Sequence, residues 1–520
     1  MINNNPVVLT IDLGTQSVKA LLVDKNGGIL HKTQHKYENP YYSKYPGWAE
    51  QKPEVYWNCL CEITNRMKAE AQELWDNIIA MTITTIRDTC ICLDKDGKPL
   101  RDFIVWLDKR QVQMSNPFHF IPKTLFSLAG MSDTANLQRR ISACNWIMEN
   151  ESGIWDRTHK FIFVSGYLTY KLTGRLVDST ANMVGHIPFN GKTRKWMGKF
   201  ELNRAIFDVE LEKLTELMEP GGTLGYISET AASETGLPRG LPLIATGSDK
   251  GCETLGLSCL KPDRAALSFG TTATIQFTTD KYVEPLPYIP AFPAVIKGKY
   301  NPEIMVYRGY WLITWFKKEF AHKEVERAAE LKVSPEAILE KMIHKIPPGC
   351  DGLFFQPYFT PGVTMPRSRG AFTGFSDIHT RAHMYKAIIE GINFALMEGL
   401  NIMEKRAKIK VERLFLSSGG SQSDRICQIT SNMFGLPVNR IQTYEAGALG
   451  SSMVAFASMG VHADLYEAAK KMVRIKDEFK PDLKESETYK FLSEKVFNKI
   501  FNKMLPLYKV YEDYINAKKV

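Results

Sequence analysis

Three apolar β-runs in this chain each end in glycine flanked by hydroxyl residues. Val7-Val-Leu-Thr-Ile11 leads into Asp12-Leu-Gly14-Thr15, and Arg264-Ala-Ala-Leu-Ser-Phe269 leads into Gly270-Thr271-Thr272. The third, Val411-Glu-Arg-Leu-Phe-Leu416, leads into Ser417-Ser418-Gly419-Gly420. A strand that stops at glycine lets backbone N–H groups approach an anion with no Cβ in the way, and a neighbouring Thr or Ser adds donors. Its recurrence in both halves points to a duplicated α/β domain with a boundary around residue 247. The domains expected are therefore 1–247 and 248–520, the second with a helical tail from about residue 465.

The neighbouring segments agree. Val18–Asp24 reads as an antiparallel partner of the first run, Lys25-Asn-Gly-Gly28 as a turn, and Ile29 onward as a third strand, which makes a meander rather than a βαβ unit. A helical stretch from Pro53 to Leu74 precedes a buried strand at Ile78–Ile83, and Asp94-Lys-Asp-Gly97 is a hairpin turn leading into Phe103–Trp106. Residues 110 to 240 alternate helical stretches with Gly- and Pro-marked turns, and Leu243–Gly247 is a strand ending just before Asp249. A helix from near His383 runs past Leu396.

Length and composition allow this. At 520 residues, 44% hydrophobic and 24% charged, the chain can bury the cores of at least two domains. The net charge of +9 comes from 66 basic and 57 acidic residues that interleave. Its excess, in Lys470, Lys471, Arg474, Lys476, Lys480, Lys518 and Lys519, reads as a solvated basic helix, so no nucleic-acid partner is expected. The nine cysteines lack zinc-binding spacing and read as reduced, mostly buried thiols. The N-terminus has no basic n-region, and no apolar run reaches about eighteen residues, so a cytoplasmic protein with no membrane association is expected.

Other motifs give weaker readings. Gly191-Lys192-Thr193 resembles a P-loop ending, but the required upstream glycine position holds His186. His379 and His383 are four apart without a following glutamate, which suits capping or solvent-facing roles. Gly247-Ser248-Asp249 lacks the final glycine of a hydrolase elbow, since Gly251 comes one place late. Asp12 near Gly14 and Thr15, by contrast, supplies a carboxylate for hydrated Mg²⁺ beside a phosphate turn, and Gly270-Thr271-Thr272 offers a second cradle. Two such loops suit a nucleotide held between domains.

Together these motifs resemble the FGGY carbohydrate kinase family, which contains glycerol kinase and xylulokinase, from Val7 to about Met459. Asp12-Leu-Gly-Thr-Gln-Ser-Val-Lys19 is similar to its first phosphate motif, and Pro46-Gly-Trp-Ala-Glu50 to its Gly-Trp-x-Glu segment. Thr246-Gly-Ser-Asp-Lys250 is similar to the segment carrying the catalytic aspartate, and Ser268-Phe-Gly-Thr-Thr272 to the second phosphate motif. Gly370-Ala-Phe-Thr-Gly374 with His383 and Ala387-Ile-Ile-Glu390 nearly reproduces the C-terminal signature. Ser418–Ser423 and Glu445–Gly450 are similar to the adenosine motif and the helix after it. Three departures stand out: Arg308-Gly-Tyr replaces Gly-Gly-Ala, Ala143-Cys-Asn-Trp146 lacks the signature lysine, and Ser418 replaces a third glycine.

The resemblance implies two actin-like (ribonuclease H-like) α/β domains around an active-site cleft, and transfer of the γ-phosphate of ATP to a hydroxyl of a small sugar or polyol. Asp249 would be the catalytic base, though it also reads as a helix N-cap. Asp12, assisted by Asp249, would hold Mg²⁺. ATP would meet Gly14, Thr15, Gln16, Lys19, Gly270, Thr271, Thr272, Gly309, Gly419, Gly420 and Gln422. The acceptor would meet Arg87 and Asp88, an Arg-carboxylate pair suited to a diol, with Trp106 packed on its carbon face and Asp108 nearby. Thr85–Thr89 lacks xylulokinase's Gln-Met-His-Gly. A ketopentose such as xylulose is expected ahead of glycerol or a sugar acid. A homodimer is compatible with the family, although no interface is legible. A chaperone-type ATPase would need a peptide-binding domain that the tail is too short to supply. A sugar-sensing pseudokinase would predict loss of Asp12 or Asp249, and both are present.

Overall fold

A computed structural model describes residues 5–113, 118–287, 289–360, 365 and 367–517; Met1 to Asn4, Lys518 and Lys519 lie outside them. The opening run forms β1 (Val7–Leu13), antiparallel to β2 (Ser17–Asp24), which pairs with β3 (Ile29–Lys36). Helix α1 (Pro53–Glu70) carries the chain to β4 (Ile78–Thr85), parallel to β1 on its other side. With β5 (Thr223–Tyr226) and β6 (Pro242–Ile244), the sheet order is β3-β2-β1-β4-β6-β5. The central β1 and β4 are buried along nearly their whole length, as strands covered on both faces must be. Edge strand β3 alternates exposed residues with half-buried ones and the buried Thr33.

The second half repeats this plan with β7 (Arg264–Phe269), β8 (Ala273–Phe277), β9 (Glu303–Val306), β10 (Arg413–Ser417), β11 (Val438–Ile441) and β12 (Ile475–Phe479). Their order is β9-β8-β7-β10-β11-β12. Strand for strand the two sheets agree: a three-stranded antiparallel meander, two parallel strands on its flank, and an antiparallel outer strand. They differ in one connection. The outer strand precedes its neighbour in the first half and follows it in the second.

Two helices join the halves: α2 (Asp249–Gly256) and, after α3 (Arg381–Ala407) and α4 (Asp424–Phe434), α5 (Ala446–Ser458). One apolar cluster contains Val8 and Ala80 of the first sheet, Phe415 of the second, and Cys252, Leu449 and Phe456 of these helices. The helices cross at glycines. A Cβ on Gly256 would stand 1.9 Å from the Ala446 carbonyl oxygen, and one on Gly450 1.9 Å from that of Cys252. From α5, Ser451 Oγ reaches Thr82 Oγ1 of β4 at 3.1 Å.

The segment from about residue 465 departs from the helical tail expected. Helix Leu465–Met472 is followed by β12, which pairs antiparallel with β11 before helices Leu483–Leu492 and Asn498–Ala517. Lys476 therefore sits on a sheet edge rather than a basic helix. The sequence Ile475-Lys-Asp-Glu-Phe479 has too few apolar residues to announce a strand, and charged edges are how sheets avoid mispairing. All nine cysteines are free thiols, eight of them buried. Among the described residues no helix is long and apolar enough to cross a membrane.

Candidate active site

Because β1, β4 and β6 are parallel neighbours, their C-terminal ends open on one edge of the first sheet, where α/β folds place ligands. Asp12 lies at the end of β1, Arg87 and Asp88 just after β4, and Asp249 at the start of α2 after β6. In the second sheet β7 and β10 are likewise parallel and deliver Gly270-Thr271-Thr272 and Ser418-Gly419-Gly420 side by side.

Asp12 pairs in register with Lys19 across the β1–β2 hairpin, and Lys19 Nζ is 3.6 Å from Asp12 Oδ2. Burial pushes the Asp12 carboxyl up to about 6; Lys19 opposes the shift, while Glu445, Asp249 and Glu253 add to it. Lys19 also donates to Glu445 Oε2 at 2.7 Å. The Gly14 N–H closes the turn on the Ser17 carbonyl at 3.0 Å, and Gln16 is exposed at its tip. Thr15 Oγ1 accepts from Trp106 Nε1 at 3.0 Å, so the Trp106 ring is anchored to the β1–β2 turn.

Ser248, not Asp249, occupies the N-cap position of α2, and Asp249 is its first helical residue. The Asp249 side chain is 34% exposed, enough to receive a ligand, with Oδ1 3.4 Å from Arg87 Nε. Arg87 is gripped by Glu303 of β9 through NH1 at 2.8 Å and NH2 at 3.1 Å, and its Nε donates to Ser248 Oγ at 3.2 Å. Burial works against the guanidinium charge, but Glu303 and then Asp249 override it and raise its pKa. Asp88, with φ of 49°, points elsewhere. Its carboxylate accepts from the His186 N–H at 2.9 Å and lies 2.6 Å from His186 Nδ1. Burial opposes the charge on either partner; each carries the other's, lowering Asp88 and raising His186. The Arg87–Asp88 pair expected from the sequence is thus two separate pairs.

Asp108 differs from the expected acceptor contact. Its side chain is 4% exposed, accepts from the Ala49 N–H at 2.6 Å, and takes Arg110 through Nε and NH2 at 2.8 Å each, so its oxygens are already partnered within the protein. One turn beyond Asp249, Glu253 is tied to Lys250 Nζ at 2.8 Å and accepts from Ser418 Oγ at 2.8 Å and Ser268 Oγ at 3.1 Å. Ser418 takes φ of 68°, where glycine is at home, and its hydroxyl bonds help hold that conformation.

In the second cradle Thr271 is exposed, and Thr272 Oγ1 donates to the Tyr307 carbonyl at 3.3 Å. The Tyr310 ring stacks on Phe269, centroids 4.6 Å apart, and a Cβ on Gly420 would meet Tyr310 at 2.6 Å. Gly309 is equally constrained, since a Cβ there would lie 2.2 Å from the Ala273 nitrogen. Arg308 lays its guanidinium over the Trp311 ring at 4.8 Å and reaches Thr360 Oγ1 at 3.3 Å. Gly419 is open, with nothing within 4 Å of an added Cβ, and Gln422 is exposed beside it. His379 accepts from the Ser376 N–H at 2.8 Å and lies 3.1 Å from the Cys350 carbonyl, and His383 sits in the capping box that opens α3.

Residues 7–256 match the N-terminal domain of the FGGY family of carbohydrate kinases, and residues 265–459 its C-terminal domain. The chain belongs to this family. It is 26% identical over 505 residues to an uncharacterized sugar kinase of Escherichia coli, YgcE, covering 94% of this chain and 92% of that one. It is 26% identical over 480 residues to the gluconokinase of Bacillus subtilis, covering 90% of each. The crystal structure of ligand-bound xylulose kinase from Lactobacillus acidophilus superposes with a TM-score of 0.82 at 23% identity, covering 97% of this chain and all of that one. As an FGGY kinase the chain is an ATP-dependent phosphotransferase with an alcohol group of a small sugar or polyol as acceptor.

Sequence reasoning missed Glu303, His186, Glu253 and the tie from Glu445. Only Glu253 left a local signal, four residues after Asp249 on one helix face. The others come from segments remote in sequence.

Proposed function

We propose that this FGGY kinase uses Asp249 as general base to pass the γ-phosphate of ATP to a ketopentose such as xylulose, ahead of glycerol or a sugar acid. The observation that carries the reading is the Asp249 carboxylate, partly exposed at a helix start 3.4 Å from Arg87 and on the sheet edge shared with Asp12. The acceptor hydroxyl gives its proton to Asp249 as its oxygen bonds to the γ-phosphorus, and the bond to the β-phosphate oxygen breaks to release ADP. Gly14, Thr15, Gln16, Gly270, Thr271 and Thr272 supply donors to the phosphates, with Lys19, tied to Glu445, the cation beside them. Gly309, Gly419, Gly420 and Gln422 border the adenosine end, Trp106 holds Thr15 in place, and Asp88 with His186 frames the acceptor side.

Magnesium fits the acidic corner. Asp12 is pushed up to about 6 by burial, with Glu445, Asp249 and Glu253 adding to the shift, a repulsion that a divalent cation relieves. Asp12 and Asp249 would hold it, and the ion would neutralise charge on the β- and γ-phosphates. The domains 1–247 and 248–520 would hinge near residue 247 and close to exclude water. Scattering with acceptor and a non-hydrolysable ATP analogue reads that closure; an unchanged radius counts against it.

The test is ADP release across ketoses, polyols, aldoses and sugar acids, with wild type beside Asp249→Asn. One acceptor that stimulates wild type alone supports the reading and names the substrate. ATP binding without any acceptor response would favour the sensor alternative.

A further inference from the structure

The cations around Asp249 are already matched. Lys19 holds Glu445 at 2.7 Å, Lys250 holds Glu253 at 2.8 Å, and His186 holds Asp88 at 2.6 Å. Arg87 is matched most fully. Both terminal nitrogens are taken by Glu303, whose side chain is 1% exposed, and its Nε faces Asp249 and Ser248. A carboxylate entering this corner would meet Arg87 with its charge already neutralised by a buried bidentate partner, and would stand close to Asp249 besides. Neutral hydroxyls face no such repulsion, and can donate to Asp249 as well as accept from the Arg87 guanidinium.

We infer that Glu303 is a specificity-determining positioning residue: by neutralising Arg87 from the second sheet it restricts the acceptor to uncharged sugars and polyols and excludes sugar acids. This rests on the proposed placement of the acceptor beside Asp249. Glu303 touches no acceptor itself; it acts through the charge and orientation of Arg87. It also comes from the opposite half of the molecule, so acceptor selection at Arg87 is completed only when β9 meets the loop after β4.

The experiment uses matched acceptors that differ only in CH₂OH against COO⁻: glycerol with glycerate, and xylitol with xylonate. Calorimetric binding of each to the full chain with bound ADP, and initial rates where turnover occurs, are compared for wild type, Glu303→Gln and Glu303→Asp. Wild type is expected to favour the neutral member of a pair by tenfold or more. Glu303→Gln is expected to move that ratio about tenfold toward the acid, through KM rather than kcat, because Arg87 then keeps only the partly exposed Asp249 as a counter-charge. Glu303→Asp, which keeps the charge, is expected to restore the neutral preference. An unchanged ratio in folded, ADP-binding Glu303→Gln overturns the inference. So does a wild type that binds the acid as tightly as its neutral partner, whether or not the variants fold. Turnover retained in Asp249→Asn would overturn the assignment of the base, whereas the Glu303 ratios are read by binding to wild-type and Glu303 variants alone, so the two readings fail separately.

Discussion

Lys19 Nζ lies 2.7 Å from Glu445 Oε2, a contact that ties the β1–β2 hairpin to the residue before α5 across 426 positions of sequence. Lys32 bonds the other oxygen of the same carboxylate at 2.5 Å. Lys19 must loosen this hold to meet a phosphate, so Glu445 competes with the nucleotide. Glu445→Gln is expected to tighten ATP binding about fivefold, the scale of a partly screened ion pair, and less at high salt. Calorimetric titration of ATP checks this, and an unchanged Kd would place Lys19 outside the phosphate contacts.

Asp249→Asn retains the shape of the site and removes the base. The expected loss in kcat is about 10²- to 10⁴-fold, with ATP affinity within about twofold of wild type. A rate within about tenfold of wild type would assign proton removal elsewhere.

The α2–α5 crossing tolerates no side chain at its contact. Gly450→Ala would drive a methyl to 1.9 Å from the Cys252 carbonyl oxygen and is expected to cost about 1–3 kcal/mol in urea unfolding. Gly256→Ala probes the same crossing from the other helix, so the double variant should cost less than the sum. Full additivity would mean the helices separate rather than strain.

Asp178 supplies a pH signature. It is buried, accepts from Asn182 Nδ2 at 2.8 Å and the Ser179 N–H at 2.7 Å, and burial pushes its carboxyl up to about 6 from an ordinary 3.8 despite those bonds. The fold therefore favours the neutral form more than the unfolded chain does. Its stabilising contribution is full below about pH 4 and is lost as pH rises through about 6, on the order of 3 kcal/mol in all. Asp178→Asn cannot ionise. Its Tm relative to wild type should climb between pH 4 and 6.5 and then level off, whereas a flat difference would put the Asp178 carboxyl at its ordinary value.

Much of this architecture is written in short stretches of chain. The strand ending at Asp12-Leu-Gly-Thr, its hairpin partner, the glycine turns after Phe269 and Ser417, and a helix start at Asp249 were each legible, because they depend on local periodicity and on where glycine frees the backbone. Strand β12 was not, since its residues Lys476, Asp477 and Glu478 carry no apolar signal and it exists only because β11 offers an edge.

The sequence by itself determined the duplicated plan, the glycine turns and which carboxylates stand at strand ends. Only the tertiary structure decided how those charges are partnered. Asp108 reads as a substrate ligand until Arg110 and the Ala49 N–H are seen to occupy it, and Arg87–Asp88 reads as one pair until Glu303 and His186 divide it. The reason is physical: backbone preference acts over a few residues, whereas a buried charge takes whichever partner the packed sheets bring within about 3 Å, at any distance along the chain.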